Sequence, residues 1–398
     1  MSRELFIAVS PGEIWAALTE NETLVALRLV RSFAPSLTGE VYLGRVVALR
    51  PELPAALVDI GQARPGFLDA ADIDRKRGLL GITEGQSLIV EVVKEARADK
   101  AAGLRMLRAS PERRARIDAE AKKAEAPARL ELPPPAIVAL LGEFMKPPPD
   151  RIVIDDRGTV AEARLFLRHE HPDLIARLEF HGESAAIFEH VGLAADIEEV
   201  LAPRVELSGG GSLYIEMTHA ATMIDVDSGK AQPVAVNLAA AAAAARQIRL
   251  RNLAGAIVID FVGMKGKADR DKVLAALRTA LAADREKPEI LGWTKLGHVE
   301  LVRRRRRAPI PEILFEHAPD GSPRKSALTV AFEALRVAER AARAEPSRRV
   351  ALAVHPEIAA VLDEGEGKAA RTMLEGRLGH ALAIEAQPQR ARDLFDVR

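Results

Sequence analysis

The chain has 398 residues, with 57 basic and 57 acidic side chains and no cysteine. The absence of cysteine excludes a disulfide framework, a thiolate nucleophile and any zinc site built from thiolates. The length allows about two to four domains, and the zero net charge, taken as an average, argues against a nucleic-acid partner, because such proteins usually carry a basic surface.

No segment of the chain is predicted to enter a membrane. The start lacks a basic stretch followed by apolar residues, and the longest wholly apolar run, residues 238–245, is far shorter than the ~20 residues that span a bilayer. We therefore expect a cytoplasmic protein without a membrane partner.

The first third of the chain is predicted to be rich in β-strands. Residues 3–31 read as short strands, with a turn at Pro11-Gly12. In residues 37–107, Gly or Pro recurs about every 8–12 residues, which is typical of a small β-barrel.

The next part of the chain is predicted to mix helices and strands. Residues 110–127 are almost all charged or alanine and predict an exposed linker helix. Residues 159–205 alternate between helical and strand-like stretches, which indicates an α/β layer. A last module, from about residue 311, predicts helices over 328–344 and 356–362 and strands near 350–354 and 381–385.

A hairpin with acidic residues is predicted between residues 212 and 227. Its strands are 212–217 and 222–227, and side chains alternate along the return strand, so Asp225 and Asp227 share one face.

A second acidic strand is predicted after a helix that Asn237 caps. In the apolar run 255–262, Asp260 occupies what reads as a central parallel strand, buried on both faces. An unpaired carboxylate there needs a cation, a hydrogen-bond cage or an exit at the strand end.

These three carboxylates form the candidate catalytic group. If Asp225, Asp227 and Asp260 converge, a divalent ion would relieve their repulsion, and oxygen ligands select Mg²⁺ or Mn²⁺. Such an ion supports phosphodiester hydrolysis. In the alternative interpretation, Asp227 begins a turn with Ser228-Gly229 and Asp260 caps the following loop.

Basic residues concentrate in the same region. Residues 246–308 contain 16 Lys and Arg against 7 Asp and Glu, with the densest run at 303–307. We interpret this charge as phosphate guides around a metal centre. In the barrel, Phe67 and Tyr42 are candidates for base stacking, although either ring fits equally well in the core. The basic candidates for RNA binding are Lys100, Arg246, Arg249, Lys265, Arg303, Arg305 and Arg307.

Long ordered motifs resemble the catalytic core of the ribonuclease E/G family. They are residues 208–215, 223–230 and 245–264. Residues 42–46 and 66–68 resemble the family's S1 RNA-binding domain, and residues 374–379 resemble its small C-terminal domain.

The resemblance implies a function. It implies an endoribonuclease of RNA processing or decay that cleaves single-stranded RNA with Mg²⁺ (Mn²⁺ as a substitute), leaving a 5′-phosphate and a 3′-hydroxyl. The family's two metal-binding aspartates fall on Asp225 and Asp260, and its S1 stacking aromatic falls on Phe67.

The resemblance also implies a multidomain α+β and α/β fold. Its parts are an RNase H-like layer (1–35 with 128–205), an inserted S1, OB-type barrel (36–107), a charged linker helix (108–127), a DNase I-like catalytic subdomain (206–308) and a small C-terminal α/β domain (311–398).

The chain departs from the family at several positions. Leu57 stands at a second aromatic position of the S1 face, which predicts weaker stacking. Asp227 replaces an Asn, Gly263 replaces an Asp, and the loop after Lys230 is shortened.

Two larger family features are missing from the sequence. No Arg-Thr pair lies between the S1-like stretch and residue 152, so we expect no 5′-monophosphate sensor. Residues 315–321 stand in place of the family's Cys-Pro-x-Cys zinc link, so we expect no zinc, and any homo-oligomer must use another surface.

Two other functions stay open at this point. One is a non-catalytic RNA-binding or ribosome-associated protein on the same scaffold, which the eroded S1 face, Gly263 and the shortened loop favour. Retention of both core aspartates argues against it. The other is a DNA nuclease, which the spacing of the acidic residues does not exclude.

Overall fold

The computed structural model describes residues 2–32, 37–50, 52–73, 81–94, 96, 101–183, 185–345 and 349–398. The chain divides into two compact units, one formed by Met1–Ala34 and Ala136–Arg398 and the other by Pro35–Pro135. In the part of the chain that the structure describes, no helix is both long and apolar enough to cross a membrane.

The strands and helices are numbered here in chain order. The strands are β1 (Arg3–Ser10), β2 (Glu13–Glu20), β3 (Thr23–Arg31), β4 (Val41–Arg50), β5 (Ala55–Asp59), β6 (Gly66–Asp69), β7 (Ser87–Lys94), β8 (Gly103–Met106), β9 (Ala128–Glu131), β10 (Arg151–Ile154), β11 (Leu178–Phe180), β12 (Arg204–Glu206), β13 (Ser212–Met217), β14 (Thr222–Asp227), β15 (Gly255–Asp260), β16 (Glu289–Trp293), β17 (Val299–Arg303), β18 (Phe315–His317), β19 (Pro323–Lys325), β20 (Ala351–Val354), β21 (Ala383–Ala386) and β22 (Asp396–Val397). The helices are α1 (Ala70–Ile73), α2 (Pro111–Ala121), α3 (Ala136–Phe144), α4 (Arg157–Glu170), α5 (Ile187–His190), α6 (Ala194–Leu201), α7 (Pro233–Leu250), α8 (Lys267–Leu281), α9 (Ile310–Leu314), α10 (Ala327–Ala344), α11 (Pro356–Asp363) and α12 (Gly365–Leu378), with a 3₁₀ helix at Pro172–Arg177.

The Pro35–Pro135 unit contains a closed five-stranded barrel, as the glycine spacing predicts. Its strands pair in the ring β4-β5-β6-β8-β7, and β9 adds to the outside of β4. Gly44 and Gly66 permit the close packing of the wall: an added Cβ would lie 2.5 Å from a side-chain carbon of Val58 or of Leu104, respectively.

The larger unit begins with a five-stranded sheet in the order β11-β10-β1-β2-β3. Strands β1 to β3 form an antiparallel meander, and β10 and β11 extend the sheet in parallel from β1. Helices α3 and α4 pack on one face and α5 and α6 on the other, since the apolar side chains of the strands alternate between two core clusters. This is the α/β layer that the sequence predicts.

The second sheet carries the acidic strands, in the order β12-β13-β14-β15-β17-β16. The predicted hairpin is β13-β14, and β15 pairs in parallel with β14 after the crossover helix α7. Helices α7 and α8 cover one face, where the side chains of Ile224, Ile257 and Ile259 are buried. The opposite face is exposed.

Two local predictions in this sheet are wrong. The apolar run predicts Asp260 inside a strand buried on both faces, but helices cover one face and Asp260 is exposed. The sequence also predicts that Asn237 caps its helix, but α7 begins one turn earlier at Pro233, and Asn237 is fully buried. Proline at the first helical position needs no donor, which allows the earlier start.

The C-terminal part is a small α/β module. Strands β21-β20-β22 form a three-stranded sheet, and α10, α11 and α12 pack against it around a core that includes Phe332 and Leu374. Helices α10 and α11 and strands β20 and β21 lie within a few residues of their predicted positions, whereas α12 and β22 were not predicted.

Candidate active site

Two aspartates lie side by side on the exposed face of the second sheet. In the parallel pairing of β14 with β15, Asp225 is the direct partner of Asp260. Neighbouring strands are about 4.8 Å apart, so both side chains leave the same face at the same level. Both residues are exposed, because the buried positions of each strand alternate with them.

The row of partners continues across the hairpin. Tyr214 is the partner of Asp225, and Arg204 is the partner of Tyr214. The Arg204 guanidinium lies 5.7 Å from the centre of the Tyr214 ring, which is 38% exposed. A cation, an aromatic ring and two carboxylates therefore follow one another along one line of the open face.

His298 places a ring nitrogen beside the carboxylate of Asp260. It precedes β17, and its Nε2 lies 3.5 Å from Oδ2 of Asp260. Neither this residue nor Tyr214 is among the predicted site residues, although Tyr214 lies within the motif of residues 208–215. The signal that finds them is strand register: Ile259 pairs with Val299, which places His298 next to Asp260.

Asn237 fixes the chain that leaves the acidic strand. Its side-chain amide donates to the carbonyl of Val262 at 2.7 Å, and its Oδ1 accepts from the Val262 N–H at 3.0 Å. This reciprocal pair holds the segment just after Asp260 against α7. Its role is therefore positional.

Asp227 is not part of the side-by-side pair. It lies two residues beyond Asp225 on the same face, opposite Ser212, and its Oδ1 accepts from the Gly229 N–H at 2.9 Å. Across the described ranges no group of three or more His, Asp or Glu side chains is placed to hold one ion. The predicted convergence of all three aspartates is therefore absent, and Asp227 occupies the turn of the alternative interpretation.

The donor set at Asp225 and Asp260 still suits a hard divalent cation. Mg²⁺ keeps several waters and is commonly bound through one or two carboxylates together with substrate phosphates. Two exposed carboxylates that are direct partners on adjacent strands offer that arrangement. His298 would be compatible with Mn²⁺.

Most arginines of the run 303–307 form ion pairs with acidic residues of the same chain. Arg303 is 3% exposed, and its Nε donates at 2.8 Å to Asp284, which is 4% exposed. Arg305 pairs with Glu312, and Arg307 pairs with Glu143. The prediction that Arg303, Arg305 and Arg307 guide phosphates is wrong for Arg303, which is buried, and is weakened for the other two.

The basic end of α7 is also largely internal. Arg246 binds Asp196 at 2.8 Å and Glu199 at 3.1 Å, and Arg249 is half-buried. The neighbouring Arg251 is buried, and this desolvation lowers its pKa to about 10. These contacts pin α7 to α6, so they argue against the predicted RNA contact at Arg246.

Lys265 is the basic candidate best placed to contact a ligand. It is exposed in the loop that follows β15, five residues after Asp260. The other lysine candidate, Lys100, lies outside the described residues.

A sequence model of the Ribonuclease E/G family matches residues 83–306. The chain belongs to the ribonuclease E/G family. Ribonuclease G of Escherichia coli (strain K12) is 28% identical over 487 residues, covering 100% of this chain and 99% of the relative. Ribonuclease G of Haemophilus influenzae is 27% identical over 484 residues, covering 99% of both chains.

A ribonuclease E is similar over a shorter stretch. Ribonuclease E of a Nostoc species is 32% identical over 403 residues, which cover 80% of this chain and 58% of the relative. As a member of the ribonuclease E/G family, the chain is an endoribonuclease, a hydrolase that acts on RNA.

Among the described barrel residues of this ribonuclease, Phe67 is the candidate stacking ring that retains exposed surface. It is half-buried and lies directly opposite Leu57 on the outer face of β5-β6. Tyr42 is 2% exposed, and its hydroxyl donates to Glu40. Burial and that hydrogen bond raise the pKa of Tyr42 to about 12. The prediction that Tyr42 stacks on bases is therefore wrong.

The resemblance implies that an aspartate of the family is replaced at Gly263, and this replacement removes a charge without relieving a steric clash. A Cβ added at Gly263 meets no atom within 4 Å, and the residue is exposed. The ribonuclease thus has room for the family's side chain and lacks its charge.

Proposed function

We propose that this ribonuclease cleaves single-stranded RNA in an active site where Asp225 and Asp260 bind Mg²⁺ or Mn²⁺. The products carry a 5′-phosphate and a 3′-hydroxyl. The observation that carries the proposal is the direct partnering of these two residues on adjacent parallel strands, with both carboxylates exposed. Enzymes of the family depend on a metal and act in RNA processing or decay.

Each residue of the site has a separate task. Asp225 and Asp260 would hold the ion, which when bound polarises a phosphoryl oxygen and lowers the pKa of a water. His298 contacts Asp260 and limits its rotation, and Asn237 fixes the backbone that follows it. The exposed ring of Tyr214 offers a surface for a base or ribose beside the carboxylates. Hydrolysis adds water to phosphorus and breaks the P–O3′ bond.

The sheet topologies support the proposed subdomains. An antiparallel meander extended by two parallel strands, β3-β2-β1-β10-β11, is the strand order expected of an RNase H-like layer (1–35 with 128–205). The second sheet with α7 and α8 supports a DNase I-like subdomain (206–308). The five-stranded barrel supports an S1 domain (36–107), and its unit also includes the helix of residues 108–127.

Loss of the 5′-sensor is part of the proposal. The alignment with E. coli ribonuclease G runs over 487 residues, 89 more than the 398 of this chain. Strand β8 ends at Met106 and α2 begins at Pro111. This short connection leaves no room for a subdomain between the barrel and the helix.

A magnesium titration of RNA cleavage tests the proposed site. Asp225→Asn and Asp260→Asn each remove one negative ligand from an exposed position, so we expect at least a 100-fold loss of cleavage with unchanged thermal unfolding. Asp196→Asn, at a partly exposed aspartate that pairs with Arg246, is the matched control. Cleavage by both site variants at the wild-type rate would refute the assignment. If the wild type cleaves no RNA at any magnesium concentration, that result would favour the RNA-binding alternative.

A further inference from the structure

Helix α4 carries a line of arginines that no acidic side chain neutralises within the described residues. Arg157, Arg164 and Arg168 are exposed, and none of them forms an ion pair in that part of the chain. At about 100° per residue, their side chains leave the helix within about 40° of one another and extend along about 16 Å. We call these three residues the α4 arginine row.

Two features of the α4 arginine row are unfavourable for the helix, although Arg168 lies in the last turn, where the helix dipole favours a cation. Arg164 and Arg168 are like charges at i and i+4, which destabilise a helix. Arg157 is the first helical residue, where the helix dipole disfavours a cation. Many arginines of the chain are paired with carboxylates, as Arg246 is with Asp196, whereas these three lie unpaired along one helix face. Such a grouping of cations points to a ligand with negative charge.

An aromatic ring completes the surface. Phe180, on the edge strand β11, is 38% exposed, and the Arg157 guanidinium lies 4.5 Å from its centre. Leu165, 64% exposed, lies beside the row. These residues line a groove of about 460 Å³ between α4 and β11. Cations along a line with a ring at one end are the combination that binds a nucleic-acid strand.

We propose that the α4 arginine row and Phe180 bind the phosphate backbone and one base of single-stranded RNA, as an anchoring site outside the catalytic sheet. The inference rests on the proposed function only in taking RNA as the ligand. A base stacks on Phe180, and successive phosphates contact Arg157, Arg164 and Arg168. This site holds part of the substrate that the aspartates do not touch.

The test measures binding of a 30-nucleotide oligouridine in EDTA by fluorescence anisotropy, on the Asp225→Asn background, from 0.05 to 0.5 M salt. Each phosphate contact to a single strand contributes about 0.7 to the slope of log K against log salt. The Arg157→Gln, Arg164→Gln, Arg168→Gln triple variant should reduce the slope by about 2 and weaken binding about 100-fold at 0.1 M salt.

Three companion variants separate contact from charge. The variant Arg157→Lys, Arg164→Lys, Arg168→Lys keeps the charge of the row and should keep the wild-type slope. Phe180→Leu removes the ring and should weaken binding about fivefold with the slope unchanged. The control removes three exposed cations elsewhere (Arg278→Gln, Arg349→Gln, Lys368→Gln) and should leave the slope within 0.5 of wild type.

Two results would overturn the anchoring site. One is an unchanged slope in the row variant, which would leave the row to an acidic protein partner. The other is an equal loss in the control, which would assign the effect to net charge. Because no step requires cleavage, a failure of the catalytic proposal would leave this measurement intact.

Discussion

Whether an acidic side chain is paired or free decides what it does in this chain. Arg28 and Arg307 hold the pKa of Glu143 below its usual range against the opposing effect of its burial. Asp284 is likewise buried against Arg303. In contrast, Asp225 and Asp260 are exposed and form no ion pair with an arginine or lysine among the described residues, so their negative charge is available to a metal ion.

Asp155 is a half-buried carboxylate outside the proposed site, and it predicts a pH effect on stability. Burial raises its pKa to about 6, and the Val9 N–H donates to it at 2.7 Å. Its unfolded-state pKa is about 3.9. As pH rises from about 4 to about 6, the unfolded chain loses the proton first, so Asp155 lowers the free energy of unfolding by on the order of 2 kcal/mol.

The substitution Asp155→Asn removes this titration and keeps an acceptor for Val9. We expect the variant to match the wild type at pH 4 and to be more stable at pH 8, measured by urea unfolding. The exposed Asp173→Asn is the baseline. If the difference in free energy of unfolding between variant and wild type is the same at pH 4 and pH 8, the explanation by burial is contradicted.

At the scale of elements, the arginine run ties β17 and its following loop to neighbouring helices and loops. Arg303 donates to Asp284, to Oδ1 of Asn252 and to the carbonyl of Leu253. Arg306 binds Glu286 at 2.8 Å. Of the five arginines, Arg304 is exposed and has no ion pair in the described part of the chain.

The variant Arg303→Met tests this structural role. It leaves Asp284 buried and unpaired, so we expect a loss of about 3–5 kcal/mol in the free energy of unfolding. The double variant Arg303→Met, Asp284→Leu should recover most of that loss, and Arg304→Gln should change stability by less than about 0.5 kcal/mol. A marginal effect of Arg303→Met, with reduced RNA affinity instead, would restore the phosphate-guide interpretation.

Sequence patterns predict the elements of the site better than its surroundings. Alternation along β14 and the turn after it are local signals, and they suffice to predict the common face of Asp225 and Asp227. The apolar run around Asp260 looks the same whether one face or two are covered, so the pattern does not reveal its exposure. Asp284 lies 19 residues from its partner Arg303 in the sequence, and Glu143 lies 164 residues from Arg307. Local sequence patterns cannot predict contacts over such separations.

At the scale of the whole molecule, the shortened chain predicts how RNA ends are treated. In the proposed function, the short connection from Met106 to Pro111 stands where a sensor would be, so the chemistry of the 5′ end should not affect the cleavage rate. We expect oligonucleotides with 5′-monophosphate, triphosphate or hydroxyl ends to be cleaved at rates within about threefold. A monophosphate preference above tenfold would show that another surface senses the end.

The zero net charge and the absence of cysteine can be interpreted more sharply once the structure is known. Equal numbers of acidic and basic residues give zero net charge, and part of that charge is paired internally, as Arg303 is with Asp284, while the α4 arginine row forms a local basic surface. Without cysteine, a cysteine-bound zinc link is excluded. Any assembly of copies must therefore form without such a link.

Binding of one divalent ion by Asp225 and Asp260 is central to the proposed function. The most direct test is a crystal structure of the chain with Mn²⁺, using anomalous scattering to locate the ion. We predict one peak within about 2.5 Å of an oxygen from each of the two carboxylates, the range of metal–oxygen bonds. A peak elsewhere on the chain, or full loading of the Asp225→Asn, Asp260→Asn double variant at the same position, would contradict it.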